Sequence, residues 1–314
     1  MKFVIKKLIS VVLTLLLVSI MIFLVFQVLP GNPAEIIMGV EADEQQIAQL
    51  EKELGVDKPM HIRYATWLKN LVRGDMGRSL KYGVDVKDLF VSRFPVTLFL
   101  TVYSLVLTIL IGIPLGIWIA SKDGKWYSSF IAALTQLGIS VPSFWLGFIL
   151  ILIFSVKLNI FPTFGHNAMG GNFLDKLYKF FLPALSIAIP NIATVVRYLR
   201  TAILDQVRRD YVRTARVKGR CFNEILYFHV LRNALIPVIT ILGIILTSSV
   251  GGSIVIENVF ALPGLGSLIV QSVSSRDFPL IQSIVVVVAA MIIFINFVID
   301  ILYRVIDPRI RGGE

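Results

Sequence analysis

Hydrophobic positions in this chain gather into six runs that contain no charged residue: Leu8–Leu29, Phe94–Ser121, Trp126–Val156, Phe180–Val196, Asn233–Ile256 and Phe278–Ile299. Crossing about 30 Å of hydrocarbon takes roughly 20 apolar residues in a helix, and five runs reach that length as they stand. The fourth, Phe180–Val196, is extended by Arg197 and Arg200, whose long side chains carry their charge out to the interface. Barrel strands are shorter and alternate in polarity, so runs this continuous predict helices. The pattern predicts an all-α, polytopic membrane protein with six transmembrane helices.

The polar stretches between the runs have their own periodicity. In residues 31–93, Glu44–Leu54 reads as a helix with Ile47, Leu50 and Leu54 at helical spacing. A second helix opens near Pro59 and runs to about Val72, with Tyr64, Leu68 and Leu71 on one face, and Gly74-Asp75-Met76-Gly77 marks a turn. This segment is too small for a sizeable enzyme domain and reads as a helical cap on the outer mouth. Lys157–Lys179 reads as loop around Phe161-Pro162 and Gly165–Gly171. Glu257–Pro279 turns at Pro263-Gly264-Leu265-Gly266 and then offers a short helix at Ser267–Ser274. The domain division that follows is 1–93 (first helix and outer cap), 94–306 (membrane core, with an inner loop at about 200–232) and 307–314 (tail). Pro114, Pro142, Pro183, Pro190 and Pro237 fall in four of the spans. Proline removes a backbone donor and bends a helix, which predicts a shaped, partly hydrated interior.

Composition agrees with the pattern. The chain has 314 residues, of which 56% are hydrophobic and only 16% charged, against roughly 25% charged in a soluble domain. The basic Met1–Lys7 ahead of Leu8–Leu29 looks like a secretory leader. That apolar run is too long, however, and only Pro30-Gly31-Asn32-Pro33 follows it, so it is read as a retained first span.

Charge supplies the orientation. With the N-terminus inside, the inner segments 1–7, 122–125, 197–232 and 300–314 carry +3, +1, +6 and 0, the whole formal charge of +10. The outer segments 31–93, 157–179 and 257–277 carry −1, +2 and −1 and cancel. Lys and Arg accumulate on the cytoplasmic side of membrane proteins, so both termini are expected in the cytoplasm. The basic charge therefore requires no nucleic acid. Cys221 is the only cysteine and lies in an inner segment, which excludes an internal disulfide or thiolate metal site.

Missing motifs narrow the chemistry. No phosphate-binding G-x-x-x-x-G-K-[ST] and no H-E-x-x-H occurs. His61, His166 and His229 fall on outer, outer and inner segments, so no metal site is predicted. Asp75, Arg78 and His61 are the only polar cluster that can be assembled for an enzyme, and their spacing suggests no reaction. No ionisable residue occupies the middle of a span, which argues against an ion-coupled carrier acting alone. The uncharged polar residues in the spans face protein or water; among them Gln136, Ser140, Ser143, Asn191, Ser248, Ser249 and Ser253 are candidates to line a pathway.

The inner segment 197–232 holds nine Lys or Arg and three acids. Asp205–Gly219 is predicted as a helix stopped by Gly219, with a second helical stretch at Phe222–Leu231. A basic amphipathic helix of this kind either lies on anionic lipid or docks into a groove of a cytosolic partner, with Tyr211 and Ala215 as anchors.

The same segment resembles the coupling loop of binding-protein-dependent ABC importer permeases, whose general pattern is E-A-A-x-x-x-G. Thr214, Ala215 and Gly219 take the alanine-pair and glycine positions, and Arg213 stands where the pattern has Glu. Asp210-Tyr211-Val212-Arg213-Thr214-Ala215-Arg216-Val217-Lys218-Gly219, followed by His229-Val230-Leu231-Arg232-Asn233-Ala234, is similar to the dipeptide, oligopeptide and nickel subgroup. Other pieces of that subgroup's pattern occur in order along the chain: Leu29-Pro30-Gly31-Asn32-Pro33-Ala34, Gly74-Asp75-Met76-Gly77-Arg78-Ser79, Ser140-Val141-Pro142-Ser143-Phe144, Gly251–Glu257 with Phe260 and Pro263-Gly264-Leu265-Gly266, and Asp307-Pro308-Arg309-Ile310-Arg311.

The resemblance implies the type I ABC importer permease fold in a bacterial plasma (inner) membrane. It implies a non-enzymatic transport subunit that forms the pathway for dipeptides, oligopeptides or glutathione, with nickel-chelate import as the alternative cargo. It further implies a second homologous permease subunit, most simply as a heterodimer, two ATP-binding subunits and an external substrate-binding protein. ATP and Mg belong to the partner subunits, and this chain binds no cofactor. In that scheme Asp210, Tyr211, Arg213, Thr214, Ala215, Arg216 and Gly219 form the ATPase-coupling site.

Overall fold

The computed structural model describes residues 2–28, 45, 58–163 and 169–306. The expected helix at Glu44–Leu54, the motif at Leu29–Ala34 and the ending at Asp307–Arg311 lie outside the described residues. Nearly all described residues are helical. The elements are α1 (Lys2–Val28), α2 (Met60–Val72), α3 (Val86–Ser121), α4 (Trp126–Ser140), α5 (Ser143–Leu150), α6 (Phe173–Val207), α7 (Asp210–Val217), α8 (Phe222–Ile225), α9 (Leu231–Val259), α10 (Leu265–Ser274) and α11 (Phe278–Ile306). π-helical turns at Ile151–Lys157 and Leu226–Val230 continue α5 and join α8 to α9. Among the described residues β pairing is confined to one antiparallel bridge, Arg78 with Asp85.

Five stretches are long and apolar enough to cross a membrane, within α1, α3, α6, the continuous Phe222–Val259, and α11. The sixth expected span, Trp126–Val156, is not one straight helix. It is α4 followed by α5 with its π turn, bent by 104°. The break falls at Val141 and Pro142, both extended (φ −89°, ψ 124° and φ −61°, ψ 138°). A residue before proline is driven out of the helical region, so Pro142 closes α4, and its carbonyl accepts from Trp145 and Leu146 to open α5. Each arm rises about 22 Å at 1.5 Å per residue, too little to cross by itself. Pro114, Pro183, Pro190 and Pro237 stay inside continuous helices. Of the prolines expected to bend spans, Pro142 is the one that interrupts a helix.

The described chain divides into two compact units. The first takes Met1–Pro95 and Leu268–Phe297. Here α1 packs on α2 through Phe23, which meets the rings of Tyr64 and Trp67, and the Tyr64 hydroxyl lies 2.8 Å from Ser19 Oγ. That bears out the Pro59–Val72 helix and its Tyr64 face. Val86, Leu268, Leu280 and Ile284 form a separate small core in this unit.

The second unit takes Val96–Ser267 and Val298–Glu314 and is built around α6. This helix is much longer than its uncharged run. It starts at a capping box, in which Asn172 Oδ1 accepts from Asp175 N and Asp175 Oδ2 accepts from Asn172 N. One end of α6 is buried among Leu100, Leu150, Ile256, Phe260 and Leu262, with Phe99 set edge-on against Phe180 at 4.9 Å. The other end is buried among Val212, Ile225, Leu226, Val230 and Ala234. Between them α3 approaches closely at Gly112 and Gly116. A methyl group at either would sit 3.0–3.2 Å from Val195 or Leu199. This is the small-xxx-small spacing by which membrane helices come close without a hydrophobic driving force.

Candidate functional site

The inner segment resolves into a compact device on the end of the second unit. The single helix expected over Asp205–Gly219 is divided. Asp205–Val207 are the last turn of α6, the chain turns at Arg208 and Arg209, and α7 is the separate helix Asp210–Val217. The second stretch, Phe222–Leu231, is likewise not a free helix; α8 and the π turn lead directly into α9.

α7 ends in a Schellman arrangement. Gly219 N donates to Arg216 O (2.9 Å), and Arg220 N donates to Ala215 O (3.3 Å). This requires the left-handed backbone that Gly219 adopts, φ +81°. Nothing lies within 4 Å of where its Cβ would be, so the glycine is there for conformation and not for space.

One face of α7 is committed to the bundle. Val212 is 1% exposed, and Ala215 packs beside it against the cluster that includes Leu199, Ile203, Ile225, Leu226 and Val230. Ala215, expected as an anchor for a partner, is partly buried here. Tyr211 is exposed, but its hydroxyl donates to Gln206 Oε1 (2.9 Å). Asp210, Arg213, Thr214 and Arg216 are exposed, and Val217 is 84% exposed. Arg216 lies over the Phe222 ring at 5.6 Å, and Arg220 Nη1 is 3.3 Å from His229 Nε2. Arg200 does not simply reach for the interface, since its Nη2 pairs with Asp123 Oδ1 at 2.6 Å.

The candidate lining residues separate by environment. Gln136, Ser140 and Ser248 are exposed and Ser143 is half-buried. Asn191 Nδ2 donates to Ser249 Oγ (3.2 Å), a polar tie between α6 and α9. Ser249 and Ser253, expected among the lining residues, are buried, and Ser253 Oγ bonds Val250 O in its own helix. Asp75 Oδ1 accepts from Gly77 N, Arg78 donates twice to Gly83 O, and His61 is exposed on α2.

Two buried carboxylates organise motifs that the sequence shows only as strings. Glu257, fully buried near the end of α9, accepts from Thr97 Oγ1 (2.6 Å), Gly266 N (2.7 Å) and Ser267 N (3.2 Å). Thr97 Oγ1 in turn accepts from Leu265 N (2.9 Å). In the other unit Asp277, 1% exposed, accepts from Ser79 Oγ (2.5 Å) and Lys81 N (3.1 Å), and it caps α11 by accepting from Leu280 N (3.3 Å). The Gly74–Ser79 motif is thereby fastened to the start of α11, where Ser283 Oγ also bonds Met76 O. Sequence reading missed Thr97 and Ser79 as partners because 160 and 198 residues separate them from Glu257 and Asp277.

Comparison with known proteins places this arrangement. Residues 112–312 match the family model described as "binding-protein-dependent transport system inner membrane component", and residues 1–101 match the N-terminal model of the same systems. The chain is 37% identical to the oligopeptide transport system permease protein AppB of Bacillus subtilis, over 98% of this chain and 99% of that one. It is 39% identical to the glutathione transport system permease protein GsiC of Salmonella typhimurium, over 99% of each. Its fold is similar to a chain from inward-facing crystals of the MetNI methionine ABC transporter, with a TM-score of 0.57, 18% identity, and coverage of 70% of this chain and 96% of that one. A multi-pass helical chain, matched from end to end by permeases, belongs to the inner-membrane components of binding-protein-dependent ABC transport systems.

Proposed function

We propose that this chain forms one half of the translocation pathway of an ATP-driven importer of short peptides, glutathione among them. It sits beside a second, different permease subunit across a pseudo-two-fold axis. ATP and Mg bind in two separate ATPase subunits, and cargo arrives on an external binding protein. The oligopeptide and glutathione permeases to which the chain is similar support the cargo class. α7, reached from the cytoplasm, is the docking element. Closure of the ATPases moves α7, and the pathway between the permeases opens outward to accept the peptide; hydrolysis reverses the change. Gln136, Ser140, Ser143 and Ser248 are the polar groups offered to the cargo.

The observation that carries this reading is the double attachment of α7. Val212 and Ala215 fix it to a cluster that also contains residues of α3, α6 and α9, while Arg213, Thr214 and Val217 remain exposed. A helix held this way shifts as one body with the spans beneath it. The test is transport by the assembled complex in proteoliposomes. Labelled di- and tripeptides, glutathione and a nickel chelate are offered with binding protein outside and ATP inside. Peptide or glutathione uptake that needs ATP and all subunits is expected. Uptake of the chelate alone would move the cargo assignment to nickel, and accumulation by this chain alone would overturn the mechanism.

A further inference from the structure

The outward surface of α7 has a definite chemistry. From Arg208 to Arg220 there are six cations, Arg208, Arg209, Arg213, Arg216, Lys218 and Arg220, against one acid, Asp210, and all seven are exposed. On a helical wheel the buried Val212 and the half-buried Ala215 define one side, and Asp210, Arg213, Thr214 and Val217 occupy the other. Two of the cations are steadied, Arg216 by the Phe222 ring and Arg220 by His229. No described carboxylate is ion-paired with Arg208, Arg209, Arg213 or Lys218.

An interfacial helix binds lipid by sinking an apolar face below the headgroups. The apolar face of α7 is already buried against the bundle, and outward it offers one large aliphatic group, Val217. This disfavours a bilayer surface and favours a shaped partner with opposite charge. Complementary charge across an interface sets register and partner choice more than affinity.

Resting on the reading of α7 as the ATPase-docking helix, we propose that the ATPase receives it in an acid-lined groove, with at least one carboxylate facing Arg213 and a small apolar pocket for Val217. Arg208, Arg209 and Lys218 form the rim and steer the approach. The contact therefore weakens with salt, because exposed charges are screened within about 8 Å at physiological ionic strength.

The experiment uses the purified complex in nanodiscs, from which the ATPase subunits are stripped and then rebound. Arg213→Gln is expected to weaken rebinding about tenfold and Arg213→Glu further. Raising NaCl from about 0.1 to 0.5 M should weaken wild-type rebinding more than that of Arg213→Gln. Equal thermal stability of the variants keeps folding out of the comparison, as Arg213 is exposed. Lys substitution of an acid in the ATPase groove should restore rebinding of Arg213→Glu. Rebinding of Arg213→Glu at wild-type strength overturns the acid-lined groove. So does rebinding that follows the phosphatidylglycerol content of the disc instead of residue 213, which makes lipid the occupant. Failure of the wild-type chain to rebind any ATPase at low salt is a different result, and it removes the docking reading itself.

Discussion

Glu257 shows how much one residue organises. Its carboxylate is buried at the point where α9 gives way to α10, and it accepts three hydrogen bonds, one from the Thr97 hydroxyl of α3 and two from the Gly266 and Ser267 amides in the first turn of α10. The turn between them is glycine-rich for a steric reason. A Cβ at Gly264 would collide with the Glu257 carboxyl, and one at Gly266 would collide with the backbone of Ile254. Carboxylate, hydroxyl and glycines thus form one unit. Removing the acceptor strands buried donors, which costs about 1–3 kcal/mol for each group left unmet. Glu257→Ala is therefore expected to lower the stability of the detergent-solubilised chain by about 3 kcal/mol or more, read as a depressed melting temperature. Glu257→Gln keeps the shape and one acceptor oxygen and should lose clearly less. Identical melting of wild type and Glu257→Ala would remove the network from the account of this corner.

At the scale of an element, α7 is short and depends on how it is stopped. Its C-terminal arrangement needs a left-handed residue at 219, and a β-branched side chain there costs about 1–2 kcal/mol in backbone strain. No neighbour crowds the position, so the strain stays local. Gly219→Val is expected to leave membrane insertion and ATP hydrolysis intact while peptide uptake per ATP falls at least tenfold; Gly219→Asn, which tolerates this backbone, should retain most of it. Measuring uptake and hydrolysis in the same vesicles checks it, and full coupling in Gly219→Val would count against α7 as the transmitting element. The glycine stop was legible in sequence because conformation alone dictates it. The division at Arg208–Arg209 was not, since no Gly or Pro marks it in sequence; the structure shows the chain turning there and Val212 buried just beyond. The spans were legible because length and absence of charge are the physical requirement itself. The 104° bend at Pro142 was not, because Pro183, Pro190 and Pro237 look the same in sequence yet stay in helices. Gly112 and Gly116 carry a packing signal, but it became readable only once Val195 and Leu199 were seen opposite them.

For the whole molecule, direction across the membrane decides whether the mechanism can work. An ATPase in the cytosol can reach α7 only if the segment between α6 and α9 faces inward. The charge distribution argues for that: residues 197–232 hold a net +6, while 31–93 and 257–277 are each close to neutral, and positively charged segments are retained on the cytoplasmic side. The chain offers a direct probe, because Cys221 is its only cysteine and is exposed three residues beyond α7's last cap. A membrane-impermeant maleimide should label Cys221 in inverted vesicles and leave it untouched in right-side-out ones. A companion variant, Cys221→Ser with Leu158→Cys, moves the thiol to an exposed position after the broken span and should show the reverse pattern. The pair controls for intrinsic reactivity, since each thiol must react from one side and fail from the other. If Cys221 labels from outside, α7 lies beyond the reach of any cytosolic ATPase, and neither the docking role nor its acid-lined partner survives.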